Sequence, residues 1–291
     1  PRQQVAKKHV KRELLPNQSE ELLKLLHLVT RDGQLNADAR RKLKQVNHLV
    51  GLLTPALDDV LSRFADPIIV DVGSGNGYLG FITYELFLKD HQAGRMICVE
   101  SREDLSQRAT ERAAAIGYDR MTFETSTIDR ANYPERLHML TALHACDTAT
   151  DDAIVLAIAK KVDHLALVPC CQAEVAQQLK TVRATSVPSM IELFAHPWHR
   201  REFGSHLTNV IRALLLERFG YQVTVTELAG WEHSLKNELI LARRVHNENR
   251  PARARLDELL AATQVVPKAI RDLRALGLLE QSASSGAARV E

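Results

Sequence analysis

The sequence predicts an α/β protein built on a doubly wound, mainly parallel sheet. Three observations carry that expectation. The stretch Ile68–Gly80, IIVDVGSGNGYLG, joins a short apolar β-branched run to a glycine-rich turn. Residues apolar at helical spacing follow at once: Leu79, Phe81, Ile82, Leu86 and Phe87. Strand-like and helix-like segments then alternate to Gly220, and a late pair of strands follows.

Length and composition set the bounds. The chain has 291 residues, enough for a full α/β domain with flanking pieces. Its 45% hydrophobic and 25% charged residues are those of an ordinary globular protein. No apolar run reaches the roughly 18 residues of a membrane helix. The basic start lacks the apolar segment of a signal peptide. Four cysteines without a disulfide-like framework fit a reducing compartment, so a cytoplasmic location is expected. A net charge of +2 means that any nucleic-acid role must rest on local patches.

The elements are expected as follows. Residues 1–65 form a helical extension. It opens with a basic arm containing Lys7 and Lys8, which either grips phosphates or is a solvated helix face. Ser19 caps an amphipathic helix through Val29, and Asp32-Gly33 turns the chain. Asn36 or Asp38 caps a second helix, which breaks at Pro55, and a short third helix leads to Pro67. Residues 66–245 form the α/β domain. Its strands are expected near Ile68–Val70, Arg95–Glu100, Met121–Thr125, Leu137–His144 and Leu165–Val168, with the late pair at Tyr221–Leu228 and Glu238–Ala242. Its helices are expected at Tyr78–Lys89, Arg102–Ile116, Asp151–Lys161 (capped by Thr150), Gln172–Lys180 and Phe203–Phe219. Residues 246–291 hold a polar linker, two short helices around Pro267 docked on the domain, and a Ser/Gly/Ala-rich end.

Strand, glycine turn and helix make a cofactor geometry. Glycine lets the backbone turn sharply and lets a ligand approach without a Cβ in the way. The helix start offers unpaired N–H groups. Dinucleotide sites use GxGxxG spacing. Here Asp71 stands two residues before Gly73, and Gly75 and Gly77 follow with Ser74 and Asn76 between. That pattern resembles the first motif of class I S-adenosylmethionine (SAM) methyltransferases. The resemblance implies that the acid and the loop hold the methionine part of SAM. It also implies an acid on the ribose at the next strand end, where Glu100 stands. Past the third strand, Ile128 and Asp129 are placed to cover the adenine and take its amine.

The residues past the fourth and fifth strands are the candidates for chemistry. ALHACDTATDD brings His144, Cys146, Asp147 and Asp151 within eight positions. Methyl transfer from a sulfonium is an in-line displacement that positioning accelerates. A nitrogen or hydroxyl acceptor also needs its proton removed, by Asp147 or His144. VPCCQ places Cys170 and Cys171 past the fifth strand, where three readings stay open: a thiolate nucleophile, a metal site with Cys146 and His144, or small side chains on the pocket floor. No metal is expected, since adjacent cysteines lack the usual two-residue gap. Trp231, His233, Lys236 and Asn237, between the late strands, suit base stacking and phosphate contact. Ala195–Arg201 (AHPWHRR) is a second aromatic and basic cluster.

DVGSGNGYLG, ALHACDTATD, VPCCQ and EHSLKNELILA together resemble one branch of these methyltransferases. It contains the methyltransferase domain of the glutathione S-transferase C-terminal domain-containing protein and a eukaryotic tRNA 2′-O-methyltransferase. The resemblance spans about Lys42 to Arg244. It implies a Rossmann-like seven-stranded sheet ending in an antiparallel hairpin, SAM as cofactor, RNA as the substrate class and partner, and an RNA-modifying function. Leu235 stands where the branch has proline. Methylation of a protein or small molecule, and non-catalytic RNA binding, are the competing readings.

Overall fold

The computed structural model describes residues 12–29, 36–143, 145–170, 172–182, 190–228 and 237–280. Seven strands form one sheet in the order β3-β2-β1-β4-β5-β7-β6. They are β1 (Ile68–Val72), β2 (Arg95–Glu100), β3 (Met121–Thr125), β4 (Met139–Leu143), β5 (His164–Val168), β6 (Tyr221–Glu227) and β7 (Glu238–Arg244). The first five are parallel, and β7 is antiparallel to both β5 and β6. This is the Rossmann-like methyltransferase sheet expected from the sequence.

Strand pleating divides the core. Val70, Leu140 and Leu165 face one side of the sheet, and Ile69, Met139 and Ala166 face the other. The first side is covered by α5 (Thr148–Ala159), α8 (Pro197–Arg218), α9 (Arg250–Thr263) and α10 (Lys268–Ala275). The second is covered by α1 (Glu20–Leu25), α2 (Ala37–Arg63), α3 (Tyr78–Thr83) and α4 (Glu103–Ala115). Two short helices, α6 (Glu174–Gln178) and α7 (Ile191–Ala195), lead from β5 towards α8.

Several helix boundaries differ from expectation, each for a physical reason. Pro55 does not break its helix: α2 runs 27 residues through it. Leu53, Leu57 and Val60 are all buried on one face, so tertiary packing holds the helix where the missing N–H would open it. Asn36 is its cap, accepting from the Ala39 N–H at 2.8 Å. Ser19 sits before a helix of only six residues and makes no side-chain cap bond. The helix after the glycine turn becomes a π-helical turn at Tyr84–Leu88, where Tyr84 stacks on Tyr118 with ring centroids 4.3 Å apart. Thr150 lies inside α5, which begins at Thr148, and its hydroxyl donates back to the Ala145 carbonyl. The helix expected at Gln172–Lys180 is only α6, five residues long. The expected helix at Phe203 begins six residues earlier, with His196 as cap and Pro197 in the first turn.

The last two helices are fastened to the domain. The Val266 N–H donates to Gln178 Oε1 at 2.7 Å, and Arg271 pairs with Glu174 at 2.6 Å. Lys268 pairs with Asp152 on α5.

The topology decides where function can sit. β6 is parallel to β5, so α8, which leads into β6, starts at the carboxyl edge of the parallel strands. Side chains confirm it: Ser205 on α8 donates to Gln172, just past β5, and Asn209 donates to Glu238, the first residue of β7. Ligands of open α/β sheets bind at this edge.

Candidate active site

The glycine turn is built from both its ends. Gly73, Gly75 and Gly77 all have positive φ, at 63°, 58° and 73°. A side chain is strained there, and at Gly77 an added Cβ would also lie 3.0 Å from the Phe123 ring. The Ser74 N–H donates to the Val99 carbonyl, and the Gly77 N–H donates to the Ser74 carbonyl. The turn is thus folded against the end of β2.

Asp71, the last acid of β1, is buried at 2% exposure. It accepts from Thr141 Oγ1 at 2.7 Å, tying β1 to β4, and the Gly80 N–H in the first turn of α3 also favours its ionised form. Burial pushes its carboxyl up to about 7, against the opposing pull of those two donors. Its folded value lies above its unfolded one, so its contribution to stability is fully present below about pH 4. That contribution is lost as pH rises to about 7. Asp71→Asn removes the dependence. The variant should gain about 2–4 kcal/mol relative to wild type between pH 4 and pH 8, most of it below pH 7. Urea unfolding of both proteins across this range measures it, and a flat difference would mean that Asp71 stays ionised in the fold.

Glu100 ends β2 and is 5% exposed. Its Oε2 accepts from the Gly75 N–H at 2.7 Å, and its Oε1 from the Arg102 N–H and Nε–H at 3.0 Å each. Burial acts to raise its pKa, but the Arg102 and Gly75 donors prevail and hold it below the usual carboxylate range. Of these donors only the Arg102 guanidinium is on an exposed side chain, at 65%. Ser74 Oγ, in the same turn, is buried with no hydrogen-bond partner among the described residues. Asn76 is exposed. Ile128 is buried in the core, and Asp129 beside it is exposed, its carboxyl lowered chiefly by the Thr127 hydroxyl.

An ionised carboxylate at the end of β2, a Cβ-free turn and an orphaned hydroxyl fit a ligand with a vicinal diol and a polar amino-acid end. SAM is such a ligand.

The loops past β4 and β5 meet at the same edge. Asp147 has a left-handed backbone, with φ 48°, and its carboxylate makes no cap bond to α5. Its Oδ1 instead accepts from the Ala173 and Glu174 N–H groups at 3.0 and 3.3 Å, joining the post-β4 loop to the start of α6. Asp151 does not face an acceptor. It is 1% exposed and paired in the core with Arg212, whose Nε donates to Oδ1 at 2.8 Å. Arg212 also donates to the Asp147 carbonyl at 2.7 Å and to Asn209 at 3.2 Å. This buried cation lies 61 residues from its acid in sequence, and no local pattern signals the pair. The Cys146 and Cys170 sulfurs are 3.0 Å apart.

His144, Cys171, Trp231, His233, Lys236, Lys7 and Lys8 lie outside the described residues, as does the Asp32-Gly33 turn. Asn237 closes the β6–β7 connection: its carbonyl accepts from the Leu228 N–H, and its amide donates to Glu227. Among the described residues no cluster of three or more His, Cys, Asp or Glu side chains could hold a metal. Nor is any described helix long and apolar enough to cross a membrane.

Residues 41–178 match the family model of a methyltransferase domain. Fold, site and match together support a SAM-dependent methyltransferase with SAM as its cofactor. Solved structures similar to it include an rRNA methylase from Streptococcus thermophilus, 13% identical, covering 67% of this chain and 95% of that one, with a TM-score of 0.43. A magnesium protoporphyrin IX methyltransferase from Synechocystis PCC 6803 with bound SAH is 12% identical, covering 78% and 95%, with a TM-score of 0.44. A SAM-dependent methyltransferase from Aquifex aeolicus is 16% identical, covering 65% and 89%, with a TM-score of 0.39. No curated protein matches the chain at a significant level.

Proposed function

We propose that this methyltransferase modifies RNA, as the resemblance to the tRNA-methylating branch implies. The observation that carries the reading is at the start of α8, on the ligand-binding edge. Trp198 is 53% exposed there, with the Arg201 guanidinium 4.3 Å from its ring centroid. The His196 and His199 rings lie 5.0 Å apart beside it. An exposed indole backed by a cation suits a nucleobase.

In this reading Gly73–Gly77, Ser74 Oγ and Glu100 hold the cofactor, with Ile128 and Asp129 at the adenine. Glu100 would hold the ribose hydroxyls in place of the exposed Arg102 guanidinium. Bound SAM supplies an electrophilic methyl group. The chain supplies position: Asp71 ties β1 to β4 beneath the turn, and Asp147 and Arg212 fix the loop that faces the acceptor. With the Asp147 carboxylate holding two main-chain N–H groups, proton removal from a nitrogen or hydroxyl acceptor falls to His144. Cys146 and Cys170 border the same opening.

The test is transfer of label from SAM to total RNA from cells lacking the gene, followed by mass spectrometry of nucleosides. Label in one nucleoside that is missing from those cells supports the proposal. Label only in protein or small molecules, or in nothing, overturns it. Trp198→Ala should weaken RNA binding about tenfold and leave S-adenosylhomocysteine binding unchanged. Binding of both should be read by titration at two salt concentrations, since phosphate contacts make the RNA term salt-dependent.

A further inference from the structure

Two thiols meet where the post-β4 and post-β5 loops converge, and the fold brings them there. β4 and β5 are adjacent parallel strands paired Leu143↔Val168, so the residues just beyond them sit side by side. Asp147 then ties the first loop to Ala173 and Glu174, and Arg212 holds the Asp147 carbonyl from below. Between these ties Cys146 Sγ and Cys170 Sγ stand 3.0 Å apart. Cys146 is exposed and Cys170 is 9% exposed, so a small reagent reaches the first and not readily the second.

We propose that Cys146 and Cys170 form a reversible dithiol–disulfide site, oxidised by a small-molecule disulfide. A disulfide bond is about 2.05 Å long, so the sulfurs close by about 1 Å. The Cys146 thiolate attacks one sulfur of the small disulfide, breaking its S–S bond. A mixed disulfide forms and one small thiolate leaves. The Cys170 thiolate then attacks Cys146 Sγ, forming the intrachain bond and expelling the second small thiolate. Two electrons pass from the protein to the reagent, and the two thiol protons end on the two released thiols. Cys98 does not compete, because it is buried in β2 and its thiol is pushed up by burial and then by Asp71.

The bond would lock together the two loops that border the acceptor opening. The disulfide itself does not depend on the RNA assignment; its effect on methyl transfer rests on that reading. The whole protein is incubated with glutathione disulfide, remaining thiols are alkylated, and the protein is weighed intact and after proteolysis. The expected result is two fewer alkyl groups than on the reduced protein, a cross-linked peptide pair containing Cys146 and Cys170, and full reversal by dithiothreitol. Cys146→Ser and Cys170→Ser should each abolish the cross-link. Wild type that stays reduced, keeps a glutathione adduct on Cys146, or links Cys170 to Cys171 overturns the proposal. S-adenosylhomocysteine binding and RNA methylation are measured on both redox forms. A cross-link in a protein that methylates no RNA in either form leaves the thiol site standing and counts against the RNA reading alone.

Discussion

Glu100→Ala should lose S-adenosylhomocysteine binding by about 100-fold or more. A vicinal diol donates two hydrogen bonds to an ionised carboxylate, each contributing about 1.5–3 kcal/mol. Losing about 3 kcal/mol is about two decades in affinity. The carboxylate also organises the turn, since Oε2 accepts the Gly75 N–H. Glu100→Gln separates the two roles. The amide oxygen keeps one acceptor for Gly75, so the fold should hold, while the charge and one acceptor are gone. Affinity should then fall by about tenfold. Titration calorimetry reads the affinities, and a thermal melt of each variant shows that the fold is retained. Wild-type affinity in both variants would place the ribose elsewhere.

Arg212→Met should cost about 3–5 kcal/mol of stability. The guanidinium is 2% exposed and its removal leaves the Asp151 carboxylate buried with no counter-charge. Asp151 Oδ2 already lacks a hydrogen-bond partner among the described residues, so the acid has no second donor to fall back on. Its carboxyl is already raised by burial, with Arg212 as the main opposing influence. In the variant the acid should therefore take up a proton, and the loss should shrink at low pH. Adding Asp151→Leu should restore much of the stability, because two apolar side chains replace an ion pair that was costly to desolvate. Methyl transfer should not return with it. The Asp147 carbonyl will have lost its donor, and the left-handed loop past β4 will keep only its tie to the start of α6. Urea unfolding of the single and double variants checks the first part, and turnover by the double variant checks the second. A single variant within 1 kcal/mol of wild type would show that the pair contributes little.

The parts of the fold that were legible in the sequence are those with local causes. Ile68–Val70 is β-branched and continuous because β1 is buried on both faces. The glycines are where φ is positive, and Glu100 stands at a strand end because the strand before it is a short apolar run. The late strand pair shows as two segments with no helix between them. What was not legible depends on distant partners. Pro55 signals a break, yet the core beneath α2 outweighs it. Asp147 reads as a candidate base, but its carboxylate serves the start of α6, 26 residues on. Asp151 reads as a candidate for chemistry because it lies near His144 and Cys146 in sequence. Only the fold reveals that it points at Arg212. The start of α8 did carry a local signal, His196 before Pro197, which a reading by hydrophobic spacing alone passes over.

The claim on which the account stands is that the turn after β1 and the acid after β2 bind a sulfonium nucleoside. Titrating the wild-type protein with SAM and, separately, with a nicotinamide dinucleotide tests it most directly. The account predicts one-site binding of SAM and none of the dinucleotide. Binding of the dinucleotide, or no heat with either, would contradict it.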